Sequence, residues 1–307
     1  MNAPSTSDRA ANAAARAILG AARALPYRLR VPAAGRAVTA LSPALGWSRR
    51  IEANVAHVRP DMPPEDLRRL KRLVPDNIGR NLIEMYSGAE FVRRVKDTPT
   101  TGPGAEALAE AQAARRPIVG VTGHLGNYNA ARAALVSQGL DLGSLYRPMR
   151  NAAFDAHYVA AMAAMGGPLF RQDRKGLVQM VRHLRGGGAV AILFDLWVHD
   201  GLALPFLGKP APTSLSAAEL ALKHDALLIP VYGIRRPDGL SFETHASAPI
   251  PHGDPVAMTR AMLADLEAMV WRHPEQWFWI HRRWKPKREA RRLERHGAHL
   301  GAPPGDP

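Results

Sequence analysis

His124 lies in the segment GVTGHLGNYNAARAAL, with Gly123 before it and Gly126 two residues after it. The apolar run PIVGVT (117–122) precedes it and a helical stretch follows it. A histidine there can act as a general base, because an unperturbed imidazole titrates close to neutrality. The run predicts a buried strand, and ligands of open α/β sheets bind at the carboxyl ends of strands. Flanking glycines let a substrate approach the backbone, and the start of a helix favours negative charge. The alternative is a histidine that only hydrogen-bonds its own loop.

The elements that must position this residue follow from periodicity. Residues 51–96 read as mostly helical, with Pro63-Pro64 marking a helix start. DTPTTGPG (97–104) reads as a loop. Beyond it, the apolar runs 117–122, 142–147, 189–195 and 227–236 predict strands, separated by helical stretches. One of these helices stops at Gly186-Gly187-Gly188. PDGLSFETHASAPI reads as a strand turning back antiparallel, and DPVAMTRAMLADLEAMVWRH as a long helix. This alternation predicts an α/β fold: a mostly parallel central sheet flanked by helices, with a helical N-terminal region.

Composition limits the partners. A chain of 307 residues with 46% hydrophobic and 22% charged residues buries a full core. Its 41 Lys and Arg against 27 Asp and Glu give a net charge of +14, which calls for an anionic partner. The absence of cysteine excludes disulfides, thiol catalysis and cysteine-ligated zinc. The histidines are scattered without ligand spacing, so no metal is expected, and general-base chemistry needs no organic cofactor. No zinc-finger, RNP or helix-turn-helix signature is present, and nucleic acid is not an expected partner.

Near the N-terminus, Arg9, Arg16 and Arg23 recur every seven residues through RAANAAARAILGAARAL, which places them on nearly one helical face. Ser7 or Asp8 is the expected cap. The stretch lacks the roughly 20 uninterrupted apolar residues of a membrane-spanning helix. Two readings remain open: an interfacial helix on anionic lipid, or a solvated helix packed on the domain.

GHLGNYN, together with LYRP (145–148), Phe194-Asp195, PFLGKPAPTSLSAAELALKHDALLIPVYGIRR and PEQWFWIHRRWK (274–285), resembles the bacterial lipid A lauroyl/myristoyl acyltransferases over roughly residues 50 to 286. These proteins are similar to the wider lysophospholipid acyltransferase-like enzymes. The spaced arginines make residues 1–50 an expected basic amphipathic membrane-association segment, and the resemblance implies an acyltransferase domain (51–286). That domain divides into a helical part (51–96) and an α/β core (105–286). A basic, partly disordered tail (287–307) follows.

The resemblance also implies transfer of a fatty acyl chain from acyl carrier protein or acyl-CoA to a hydroxyl of a phosphorylated lipid A precursor. The place is the anionic cytoplasmic face of the bacterial inner membrane, with His124 as base. Arg147 would stabilise the oxyanion or hold a phosphate, or is simply a surface arginine. Gly126, Asn127, Gly208, Thr213, His281 and Arg283 would bind substrate, although Thr213 as a helix cap explains that residue equally. The run containing Trp277, Trp279 and Trp284 suits rings at headgroup depth, or tryptophans packed on the core. A lysophospholipid or aminolipid acceptor is the near alternative function, and a catalytically silent lipid-binding protein the distant one.

One position departs from the family. Where it has an acidic residue five positions after the histidine, this chain has Asn129. Three readings follow: Asn129 orients His124 in a working enzyme, another carboxylate supplies the charge with Asp195 the first candidate, or catalysis is lost.

Overall fold

The computed structural model describes residues 6–149 and 151–285. Helices α1 (Thr6–Ala24), α2 (Tyr27–Leu41), α3 (Trp47–Val58), α4 (Pro64–Met85) and α5 (Ala89–Val95) precede the sheet. Helix α1 is described from Thr6, so the expected caps Ser7 and Asp8 fall within its span. Pro64 opens α4 as expected, where its missing N–H costs nothing. Helices α2 and α4 pack so closely at Gly35 and Gly79 that a Cβ on Gly79 would fall 2.9 Å from the Gly35 Cα. Helix α3 runs through the expected boundary at residues 50 and 51.

The remainder alternates strand and helix: β1 (Thr100–Thr101), α6 (Ala105–Ala113), β2 (Ile118–Thr122), α7 (Tyr128–Ser137), β3 (Leu142–Tyr146), α8 (Ala152–Ala163), β4 (Leu169–Arg171), α9 (Arg174–Arg185) and β5 (Ala189–Leu193). The hairpin β6 (Leu202–Phe206) and β7 (Lys209–Thr213) comes next, then α10 (Ser216–Lys223), β8 (Leu227–Arg235), β9 (Phe242–Ala246) and α11 (Pro255–Arg272). The seven-stranded sheet has the order β1-β9-β8-β2-β5-β3-β4. Every pairing in it is parallel except β8 with β9. The α/β expectation and the antiparallel return strand therefore hold. The segment expected to be a loop instead contributes the two-residue strand β1, paired with Thr244 and His245. The basic tail lies outside the described residues.

All nine residues of β8 are buried, in keeping with a continuous apolar run covered on both faces. The main core lies between the central strands and helices α4, α10 and α11, and it takes in the C-terminal tryptophans. Trp277, Trp279 and Trp284 are 1%, 0% and 6% exposed, so all three rings pack in the core. Trp277 meets Trp279 edge-on at 4.7 Å between ring centroids. The core reading of that segment is correct.

Candidate active site

The register of the parallel strands brings two distant side chains together. Thr122 at the end of β2 lies opposite Leu193 at the end of β5. The Phe194 N–H then donates to the Thr122 carbonyl at 3.2 Å. Two residues beyond each strand end, His124 and Asp195 meet. The Nδ1 of His124 lies 2.7 Å from one Asp195 oxygen, and its backbone N–H donates to the other at 2.8 Å. The Trp277 indole N–H donates to that second oxygen at 3.0 Å. The turn at Gly123 is tight, since a Cβ on it would lie 2.7 Å from the Leu266 side chain and 3.2 Å from the Asp195 carboxylate.

Burial alone pushes the Asp195 carboxyl up. The charge of His124, its ring and backbone hydrogen bonds and the Trp277 N–H outweigh that effect and hold the carboxyl at about 2. An ionised carboxylate only accepts, so Nδ1 of His124 carries the proton of this bond, and the lone pair of the neutral ring lies on Nε2. The His124 side chain is 22% exposed against 3% for Asp195, so the imidazole alone of the pair is open to a substrate. Tyr128, Phe278 and His281 frame it, with ring centroids 5.8, 5.7 and 6.4 Å away.

Behind the histidine loop lies a buried polar network. Arg235, at the end of β8, makes two 2.6 Å bonds to the two oxygens of Glu84 in α4. It also donates to Asn77 and Asn81 on the same helix at 2.9 and 2.6 Å. Glu84 accepts from the Asn127 amide at 2.8 Å. Gln276 accepts from the Arg235 N–H and donates to its carbonyl, both at 2.9 Å. The Asn127 N–H donates to the Gly233 carbonyl at 2.7 Å, and that of Gly126 to the Gln276 carbonyl at 3.0 Å. Gly126 has φ +60°, and a Cβ there would lie 2.0 Å from the Gly233 oxygen. The loop is therefore clamped between β8, α4 and the chain after α11.

The remaining expected site residues fall into three groups. Asn129 is buried in the first turn of α7, and among the described residues no hydrogen bond joins its side chain to His124. It is not the partner; Asp195 is. Asn127 is buried and uses its side chain to cap α7 and to donate to Glu84, which gives it a structural role in the loop. Thr213 does not start a helix: it ends β7, fully buried, donating to the Ala211 carbonyl at 2.8 Å. It accepts from Arg283 at 2.6 Å. Arg283 is 0% exposed and also donates to the Pro212 and Leu196 carbonyls, so it ties the hairpin to the C-terminal segment rather than contacting substrate. Gly208 forms the exposed turn of that hairpin with φ +72°. Arg147 is exposed at the end of β3, and β5 separates that strand from β2. Of the expected binding residues only His281 reaches the pair.

The family of bacterial lipid A biosynthesis acyltransferases matches residues 8–286. The chain belongs to that family. It is similar to the lipid A biosynthesis acyltransferase of Haemophilus influenzae, 24% identical over 180 residues, which cover 58% of this chain and 56% of that protein. It is also similar to the lipid A biosynthesis lauroyltransferase of Escherichia coli K12, 25% identical over 245 residues, 78% of this chain and 79% of that protein. Within this lipid A acyltransferase-family chain, Glu84, Arg235, Asn77, Asn81 and Gln276 are the site residues that sequence reasoning missed. The usable signal was charge at buried periodicity: Glu84 falls among the apolar positions of α4, and Arg235 extends a fully buried strand.

Proposed function

We propose that this chain transfers a fatty acyl group from an acyl carrier protein thioester to a hydroxyl of a lipid A precursor. The observation that carries the reading is the His124–Asp195 pair at the carboxyl edge of the sheet, in a member of this family. Nε2 of His124 takes the proton of the acceptor hydroxyl as its oxygen attacks the thioester carbonyl carbon. Asp195 holds the ring in the required tautomer and stabilises the imidazolium. The tetrahedral intermediate then collapses, the C–S bond breaks, and the imidazolium returns its proton to the leaving thiolate. The catalytically silent alternative loses its main support, since the missing acid at residue 129 is replaced from residue 195.

The reading also places the protein on the cytoplasmic face of the inner membrane. Its net charge of +14 suits an acidic carrier protein, a phosphorylated acceptor and anionic lipid. Exposed Ile18, Leu25, Leu29 and Leu41 accompany exposed Arg16, Arg23 and Arg28 on α1, α2 and the turn between them, a combination suited to an interfacial position. Among the described residues no helix is long and apolar enough to cross a membrane.

Mass spectrometry of lipids from cells with and without this protein tests the acceptor: unchanged lipid A acylation refutes it. Purified protein assayed with acyl carrier protein thioesters and acyl-CoA tests the donor. Wild-type activity equal to that of His124→Ala refutes the assignment of the base.

A further inference from the structure

We propose that His281 is the oxyanion partner of the reaction, donating a ring N–H to the thioester carbonyl oxygen while His124 deprotonates the acceptor. This rests on the acyl-transfer reading above.

The two imidazole planes are parallel to within 5°, with centroids 6.4 Å apart. A base needs to lie about 3 Å from the hydroxyl it deprotonates. An oxyanion donor needs to lie about 3 Å from the developing charge. A centroid separation of 6.4 Å is wide enough for a tetrahedral carbon that presents one oxygen to each ring. The carbonyl oxygen gains charge as the new C–O bond forms. The His281 proton stays on its ring, and the C=O bond is restored when the thiolate leaves.

His281 is also held in advance, as transition-state stabilisation requires. The Phe278 N–H donates to the His124 carbonyl, and the His281 N–H to the Phe278 carbonyl, both at 3.0 Å. From α3, the Asn54 amide donates to the carbonyls of Trp279 and His281 at 2.6 and 2.8 Å. Yet the His281 ring makes no hydrogen bond to any described residue, whereas Asp195, Trp277 and Arg283 around it are all bonded.

The charge state fits. Burial pushes the His281 imidazole down; Asp195 opposes this, and the neighbouring His124, Arg283 and Lys285 charges add to it, leaving it at about 4. At neutral pH the ring therefore keeps one N–H and does not compete with His124 for the carboxylate. A neutral imidazole kept so by its surroundings is an effective donor to a reacting carbonyl. Arg147, the cation expected for this task, lies at the end of β3 with β5 in between.

The test compares His281→Phe, which keeps an aromatic ring beside His124 and removes the N–H, with His281→Gln, which does the reverse. Steady-state rates are measured with an acyl carrier protein thioester and purified lipid acceptor, alongside melting curves of each variant. We expect His281→Phe to lower kcat roughly 10²–10³-fold with little change in either KM, as for loss of one oxyanion donor. His281→Gln should recover at least about a tenth of the lost rate. A Phe variant with wild-type kcat overturns the proposal, as does a Phe variant more active than the Gln variant. Wild type as inert as His124→Ala instead refutes the acyl-transfer reading itself, and this assignment with it.

Discussion

The Nδ1–H of His124 donates to one oxygen of Asp195 across 2.7 Å, while the backbone N–H of the same histidine holds the other oxygen at 2.8 Å. Two bonds from one residue fix the carboxylate relative to both the ring and its backbone, so the imidazole has a single orientation. The acid thus comes from the end of a neighbouring strand, 71 positions away in sequence, instead of from the following helix.

Replacing this acid should be severe. Asp195→Asn is expected to reduce kcat about 10⁴-fold, the scale seen when a triad aspartate becomes asparagine. Asn129→Asp should give no gain, because residue 129 does not bond to the ring. A carboxylate buried there without a partner would instead lower stability. Turnover assays and urea titrations of both variants check this; a large rate gain from Asn129→Asp would contradict the pairing.

The same comparison explains what the sequence conveyed. Element types were legible because β8 and β5 are apolar runs and the helices carry period and caps. His124 was legible because strand end, glycines and helix start lie within one short segment. Its partner was not, because strand order and register, which set Thr122 against Leu193, are non-local. Thr213, Asn127 and Arg283 matched a family pattern that reports their importance but not its cause. In the structure they satisfy buried backbone and side-chain groups. The tryptophans next to arginines were ambiguous for a related reason: only packing decides whether such a run faces lipid or core.

The Glu84–Arg235 pair makes a separate prediction about stability. Both side chains are nearly inaccessible, at 0% and 7% exposure. Removing one partner leaves the other buried and charged, which costs about 3–5 kcal/mol. Arg235→Met should therefore unfold at much lower urea. Combining it with Glu84→Gln should recover part of the loss. If the double variant is less stable than the sum of the two single changes, the charges are not the coupled unit. Because Glu84 also anchors Asn127, the double variant should still lose activity through the His124 loop.

Trp277→Phe isolates one contact to the acid. The phenyl ring retains much of the core packing but removes the N–H that donates to Asp195 at 3.0 Å. A hydrogen bond to a charged group contributes about 1.5–3 kcal/mol. The variant should therefore lose stability by about that amount and show an Asp195 carboxyl titrating higher. NMR titration of the carboxyl carbon reads this directly, and an unshifted midpoint would remove Trp277 from the site.

Among the groups that acid titrates, His281 and Asp195 act in two separate pH windows. His281 titrates near 4 when folded against 6.5 in its unperturbed form. Its effect is absent above about pH 6.5. As pH falls, the unfolded chain binds a proton that the folded chain refuses, so stability is lost between about 6.5 and 4 and stays lost below. Asp195 is shifted down from 3.8 to about 2, so its contribution is present above about pH 4 and disappears as pH falls towards 2. His281→Phe removes the His281 share of the upper window, while His157, His224 and His273, also held below 6.5 by burial, keep theirs. It should make the stability profile less steep between pH 6.5 and 4, by about 2 kcal/mol after allowance for solvent screening, and leave the Asp195 contribution intact. Guanidinium or urea unfolding at half-unit pH intervals, wild type against variant, measures the difference. Parallel curves through the upper window would mean that His281 takes up its proton in the folded protein, which would deprive it of the neutral donor state.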